Sequence, residues 1–165
     1  MYFDTLTIFS MSLKVGDKAP EFTLKDSFNN DISLNDFKGK KIIIYFYPKD
    51  NTPGCTKEAC NFREHWDLLT KNNFVVIGIS KDNATSHSKF VEKFNLPFIL
   101  LTDPLPCEMS TSYDSYGLKK FMGKEYMGMI RNTFVINEKG IIEKIYKKVK
   151  AAIMADHIIA DLNIV

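Results

Sequence analysis

The chain has 165 residues, 45% of them hydrophobic and 25% charged, with a formal net charge of +2. That length suits one domain with a sizeable core and hardly two. Acidic and basic residues are mixed along the chain, so no basic face suggests nucleic acid, and no apolar run approaches the roughly 20 residues that span a bilayer.

The N-terminus lacks a positively charged n-region and an A-x-A-like cleavage site, so it is a poor secretory signal. Residues 1–11 read as a frayed or disordered extension, with Met11 available as a second start, ahead of a domain over 12–165. Next, Phe22-Thr23-Leu24 and Asp31-Ile32-Ser33-Leu34 flank Asn29-Asn30, which predicts a small β-hairpin. The continuous apolar run at 41–47 fits a strand buried on both faces. Residues 55–71 are predicted as one helix, with Phe62, Trp66 and Leu69 recurring at helical spacing as core positions.

A second buried strand is expected at Phe74–Ile79, and a helix at 84–94 with Phe90 and Phe94 on one face. Leu96–Leu101 gives a short strand that Pro97 starts, because a central strand needs its N–H groups. Residues 103–130 read as a long irregular stretch. Residues 132–137 and 141–146 flank Glu138-Lys139-Gly140 and predict an antiparallel hairpin, and a last helix covers about 150–162. The order β-α-β-α-β-β-α implies a layered α/β fold, with parallel pairing early and a hairpin late.

The chemistry centres on Pro48-Lys-Asp-Asn-Thr52-Pro-Gly-Cys55-Thr-Lys-Glu-Ala-Cys60. The strand at 41–47 runs into a Pro/Gly turn, and Cys55 falls where a helix begins. A helix start offers unpaired N–H groups and the positive end of a dipole, and both favour a thiolate. Thr52 supplies a hydroxyl three residues upstream and Cys60 a second sulfur five residues downstream. A strand that turns into a helix with a cysteine at its N-terminus is the layout of a thioredoxin-type fold.

In a regular helix five residues place two Cα atoms about 8.7 Å apart, beyond the roughly 7 Å that a disulfide tolerates. A structural Cys55–Cys60 bridge is therefore not expected, whereas a catalytic cycle with a local unwinding step fits. An ordinary cysteine is only about 3% thiolate at pH 7, so full ionisation gains about 30-fold at most. A helix terminus alone supplies too little for that, and Arg131 is the candidate cation. It leads directly into the segment 131–136, which in such a sheet lies beside the 41–47 strand. Three cysteines cannot all pair within one chain, and the odd count points to the cytosol. Cys107 reads as incidental, and His65, His87 and His157 read as surface or helix residues.

Pro48-x-x-x-Thr52-x-x-Cys55 resembles the active-site pattern of peroxiredoxins. Thr52–Cys60, Val15–Leu24 and Arg131–Ile136 resemble the bacterioferritin-comigratory-protein (PrxQ) branch, and the resemblance covers about residues 12–165. The chain departs from it at Tyr113-Asp-Ser-Tyr-Gly117 and at Pro104-Leu-Pro-Cys107. The resemblance implies an α/β thioredoxin-like fold with a central mixed sheet flanked by helices and an N-terminal β-hairpin. It also implies a thiol peroxidase for hydrogen peroxide or organic hydroperoxides. Cys55 is then the peroxidatic thiolate and Cys60 the resolving thiol of an intramolecular disulfide. Thr52 and Arg131 position the peroxide and stabilise the leaving oxygen, and Pro48 shields the pocket. Thioredoxin or a glutaredoxin-like donor is the expected reductant, with no metal or organic cofactor and a monomeric, cytosolic protein.

Other chemistries fit less well. Iron–sulfur binding of the plant type needs four cysteines, and His65 lies about 15 Å along the helix from Cys55, too far for a Cys–His pair. The Cys-x-x-Cys of a disulfide reductant is absent. The alternative from another class is a non-catalytic thiol redox sensor or partner-binding protein.

Overall fold

The computed structural model describes residues 12–165, so the expected extension at 1–11 lies outside the described residues. The chain opens with the expected hairpin of β1 (Thr23–Asp26) and β2 (Asp31–Ser33), with Thr23 opposite Ser33. Asp26 fastens its turn by accepting from the N–H groups of Phe28 and Asn30 at 2.8 and 2.9 Å. After a 3₁₀ turn comes β3 (Lys41–Phe46), buried along its length after the first residue, as a strand covered on both faces should be. Then follow α1 (Pro53–Glu64), α2 (Trp66–Lys71), β4 (Phe74–Ser80), α3 (Ala84–Phe94) and β5 (Ile99–Thr102). The chain continues through α4 (Glu108–Ser112), β6 (Tyr116–Phe121), β7 (Lys124–Met129), β8 (Thr133–Ile136), β9 (Ile142–Tyr146) and α5 (Met154–Asp161).

Seven strands form one mixed sheet in the order β2-β1-β5-β4-β3-β8-β9. β3, β4 and β5 run parallel, while β8 lies antiparallel on the other side of β3. Alternate residues of β3 then serve two cores. Ile43 and Tyr45 face α1, α2, α3 and α5 through Phe62, Leu69, Phe90 and Ile158. Ile42, Ile44 and Phe46 face the opposite side, with Phe22, Met109, Tyr113 and Phe134. This is the mixed α/β, thioredoxin-like arrangement that the motif implied.

Four local expectations need correction. The helix expected over 55–71 is two helices, broken at His65, whose Nε2 is held 2.7 Å from the Asp156 carboxylate on α5. The strand expected at 96–101 starts at Ile99, two residues after Pro97, and runs to Thr102. The last helix is preceded by a 3₁₀ turn at Ala151–Ile153. The stretch 103–130 is not irregular: it holds α4 and a separate two-stranded hairpin of β6 and β7. Its turn is Met122-Gly123, both at positive φ (51° and 80°), the pairing that a two-residue hairpin turn of the I′ kind demands. Asn-Gly would have announced that turn and Met-Gly does not. The hairpin also leaves Leu118, Phe121, Met122, Tyr126 and Met127 exposed, so it lacks the polar face by which a half-buried strand is recognised.

Gly78 shows why a glycine stands inside β4, where it otherwise weakens a strand. It is the register partner of Tyr45, whose ring passes over it to stack on Phe62 at a centroid distance of 4.9 Å. A Cβ at Gly78 would lie 2.8 Å from both the Tyr45 ring and Leu100, closer than real contacts allow. Gly78→Ala should therefore destabilise the fold by about 1–3 kcal/mol through overpacking. That is roughly 2–12 °C in Tm for a domain of this size, and a thermal melt checks it.

Candidate active site

The sheet topology builds the site. β3 delivers the chain to its C-terminal end, where residues 47–52 lead into α1. Because β8 is antiparallel to β3, with Thr133 opposite Tyr45, the residues just before β8 come to that same end. The N–H of Phe46 donates to the Asn132 carbonyl at 3.0 Å, which ties the two segments together beside the site. Arg131 is thereby placed over the first turn of α1, although it lies far from Cys55 in sequence. Its Nη2 donates to the Cys55 sulfur at 3.2 Å, the juxtaposition inferred from the strand order.

Thr52 is the N-cap of α1, with Pro53 in the first turn, where a missing N–H costs nothing. The Thr56 N–H makes the first helical bond to the Thr52 carbonyl at 2.8 Å. Cys55 is the third helical residue, so its amide and that of Gly54 have no acceptor within the helix and point out of its start. The sulfur-bearing side chain is buried, with the residue 2% exposed. The guanidinium packs over Gly54, where a Cβ would be in ordinary contact with Nη2 at 3.5 Å.

The other predicted residues take their places around this pair. The Thr52 hydroxyl donates to the Lys49 carbonyl at 2.9 Å and makes no bond to Cys55; its oxygen keeps lone pairs for an incoming donor. Pro48 is half-buried at the end of β3. Cys60 lies further along α1, half-buried and unpaired. With α1 regular from Pro53 to Glu64, the two sulfurs are held apart and a bridge requires unwinding. Cys107 is buried at the start of α4, its thiol directed at the Asp103 carbonyl at 3.5 Å; burial and then Asp103 push that thiol up, which makes it a poor nucleophile.

Glu58, which carries no expectation from the sequence, and His87, expected at the surface or in a helix, are both buried near this region. Glu58 sits one turn below Cys55 on the sheet-facing side of α1 and is completely buried. Its Oε1 accepts from Arg131 Nη1 at 2.7 Å, while Oε2 has no partner among the described residues. Burial raises its carboxyl to about 7, despite the downward pull of Arg131. Burial also opposes the charge of Arg131, but Glu58 and Cys55 outweigh it and its pKa moves up. One guanidinium thus serves two acids, a carboxyl and a thiol. His87 lies in a helix as one reading had it, but is not at the surface: it is wholly buried against Asp50. Lys119 on β6 adds a nearby cation, its pKa lowered by burial and by Arg131.

A buried sulfur at a helix start, paired with a fixed arginine, is suited to nucleophilic attack on a small electrophile with a leaving oxygen. Among the described residues no group of His, Cys, Asp or Glu is arranged to hold a metal ion.

Comparisons with known proteins agree with this geometry. Residues 15–145 match the model of the AhpC/TSA family. A Coxiella burnetii protein designated peroxiredoxin bcp is 51% identical over 143 residues, covering 85% of this chain and 92% of that one. The Bacillus subtilis peroxiredoxin Bcp is 45% identical over 148 residues, covering 90% and 92%. The Xanthomonas campestris bacterioferritin comigratory protein, studied for its alkyl peroxide reduction activity, superposes with a TM-score of 0.80 at 32% identity over 86% of this chain and 90% of that one. From strand order to sulfur, arginine and kin, the chain belongs to the AhpC/TSA family, on the Bcp/PrxQ branch of the peroxiredoxins.

Proposed function

We propose that the protein is a thiol peroxidase that reduces hydrogen peroxide and organic hydroperoxides through Cys55. The observation that carries this is the 3.2 Å hydrogen bond from Arg131 to the Cys55 sulfur at the start of α1. The thiolate attacks the terminal peroxide oxygen; an S–O bond forms, the O–O bond breaks, and its electron pair leaves on the second oxygen. That oxygen takes up a proton and departs as water or alcohol, leaving Cys55 as a sulfenic acid. Arg131, the Thr52 hydroxyl and the free amides of the first turn orient the peroxide and stabilise the charge on the departing oxygen. Pro48 closes one wall of the pocket against bulk water.

Cys60 then attacks the Cys55 sulfur, water leaves, and an intramolecular disulfide forms once the first turns of α1 unwind. A dithiol donor, thioredoxin or a glutaredoxin-like protein, returns both sulfurs to the reduced state. We take the working protein to be a cytosolic monomer formed by residues 12–165, acting without metal, organic cofactor or nucleic acid. Among the described residues no helix is long and apolar enough to cross a membrane.

In a NADPH–thioredoxin-coupled assay the wild type should turn over many times and Cys55→Ser should not; oxidation of Cys55 without turnover would instead mark a redox sensor. Cys60→Ser should consume one equivalent of peroxide and then stall. Peptide mass spectrometry after one equivalent should find the Cys55–Cys60 bridge in the wild type and Cys107 unmodified.

Arg131→Met removes a donor aimed at the reacting atoms. The second-order rate constant with peroxide should fall by roughly 10²- to 10³-fold, the usual cost of losing one such donor. Stopped-flow kinetics of the reduced enzyme measure it.

Glu58 binds its proton more tightly folded than unfolded, since burial raises its carboxyl from 4.5 to about 7. Its contribution therefore lowers stability as pH rises from about 4.5 to about 7, and levels off above that. Glu58→Gln should flatten that part of the stability profile, seen as a smaller decline of Tm across the window. An unchanged slope would show that Glu58 ionises in the folded protein as it does in the unfolded chain.

A further inference from the structure

A second buried cluster lies behind the 47–52 segment, and the chemistry above makes no use of it. The Asp50 carboxylate is almost fully buried and receives three side chains from two elements. The Tyr47 hydroxyl donates to Oδ1 at 2.5 Å, the Ser86 hydroxyl donates to Oδ2 at 2.8 Å, and His87 Nδ1 lies 2.7 Å from Oδ2. The Asp50 N–H donates in turn to the Asp82 carboxylate at 2.8 Å. His87 has an exposure of 0%, and its other nitrogen, Nε2, faces the Leu101 carbonyl at 3.2 Å. The ring is held between the Asp50 carboxyl and the Leu101 carbonyl, away from water, so removing either side leaves a buried polar group unsatisfied.

What this cluster holds is the segment that carries Thr52 and leads into Cys55. Asp50 lies two residues from Thr52, next to Asn51 at φ 60°, a left-handed turn that asparagine readily adopts. His87 and Ser86 project from the first turns of α3, on the other side of β4 from the arginine. The segment before α1 is thus anchored to a rigid helix at its base, while the first turn of α1 is the part that must unwind before Cys60 can reach Cys55.

We propose that His87 is a positioning residue for the peroxide reaction: through Asp50 it latches residues 48–52, and with them the first turn of α1, in the arrangement that presents Cys55 to Arg131. The latch opposes the unwinding that brings Cys60 to Cys55, so it governs how the enzyme divides its time between the two steps. This rests on the proposed peroxidase cycle.

The test follows two rates in the intact reduced protein: consumption of hydrogen peroxide, and closure of the disulfide, read from the fluorescence of the single tryptophan, Trp66. His87→Leu should slow the peroxide step roughly tenfold, less than the hundredfold that a 1 Å misplacement can cost. The same variant should speed disulfide closure. His87→Gln, which keeps an uncharged donor, should recover part of both changes. Ser86→Ala removes one donor from a half-buried position, and should show the same two directions, more weakly, even where His87→Leu does not fold. Rates that stay at wild-type values in Ser86→Ala, or that fall together in every folded variant, would overturn the latch. A wild-type protein that consumes no peroxide would instead overturn the proposed function.

Discussion

One guanidinium shared between two acids is the interaction on which the site depends. Arg131 lies between the Glu58 carboxyl and the Cys55 sulfur and donates to both. Without Glu58 it would have no fixed anchor below the helix. Without Cys55 its outer nitrogen would have no partner in the helix start. A lysine could not take the same place, because a point charge on a flexible stem cannot face two acceptors with a planar fork. Burial sharpens the arrangement: it raises the carboxyl to about 7, so near neutrality the charge opposing the guanidinium is only partly present.

The sheet is what makes this pairing possible. Parallel β3 and β4 bring a strand end and a helix start together at one edge, the usual place for a site in α/β folds. Antiparallel β8 then supplies, from the far half of the chain, a residue at that same edge. The cores on the two faces keep these strands rigid, and the large rings of Tyr45, Phe62 and Phe134 fill them. The first turn of α1 is different in kind. It is bounded by Pro53 and Gly54, has few partners of its own, and borrows its order from Arg131 on one side and from the Asp50 cluster on the other.

Much of this was legible in the residues and some was not. β3 announced itself by its unbroken apolar run, and the helix start by Thr52-Pro53-Gly54-Cys55. Arg131 followed from the expectation that the last hairpin pairs with β3. Glu58 was missed because a glutamate in a helix is ordinarily solvated, and only the packed structure shows that its side of α1 faces the sheet. His87 was read as a surface or helix residue for the same reason: its partner Asp50 comes from another segment, and nothing in the helix pattern of 84–94 reports a buried polar contact. The break at His65 depends on Asp156 from α5, again a contact between distant segments. The β6–β7 hairpin went unread because Met122-Gly123 makes a turn that Asn-Gly usually makes, between strands with no polar face. Local chemistry was visible, whereas charges matched across elements were not.

The separation between cysteine and arginine has a bearing on how the protein comes into being. Cys55 emerges from the ribosome well before Arg131, which is 76 residues later. Until β8 has docked, the nascent chain carries the sulfur without the guanidinium that donates to it in the folded protein. The arrangement around the sulfur is therefore a product of the completed sheet and cannot form on a chain that ends before β8.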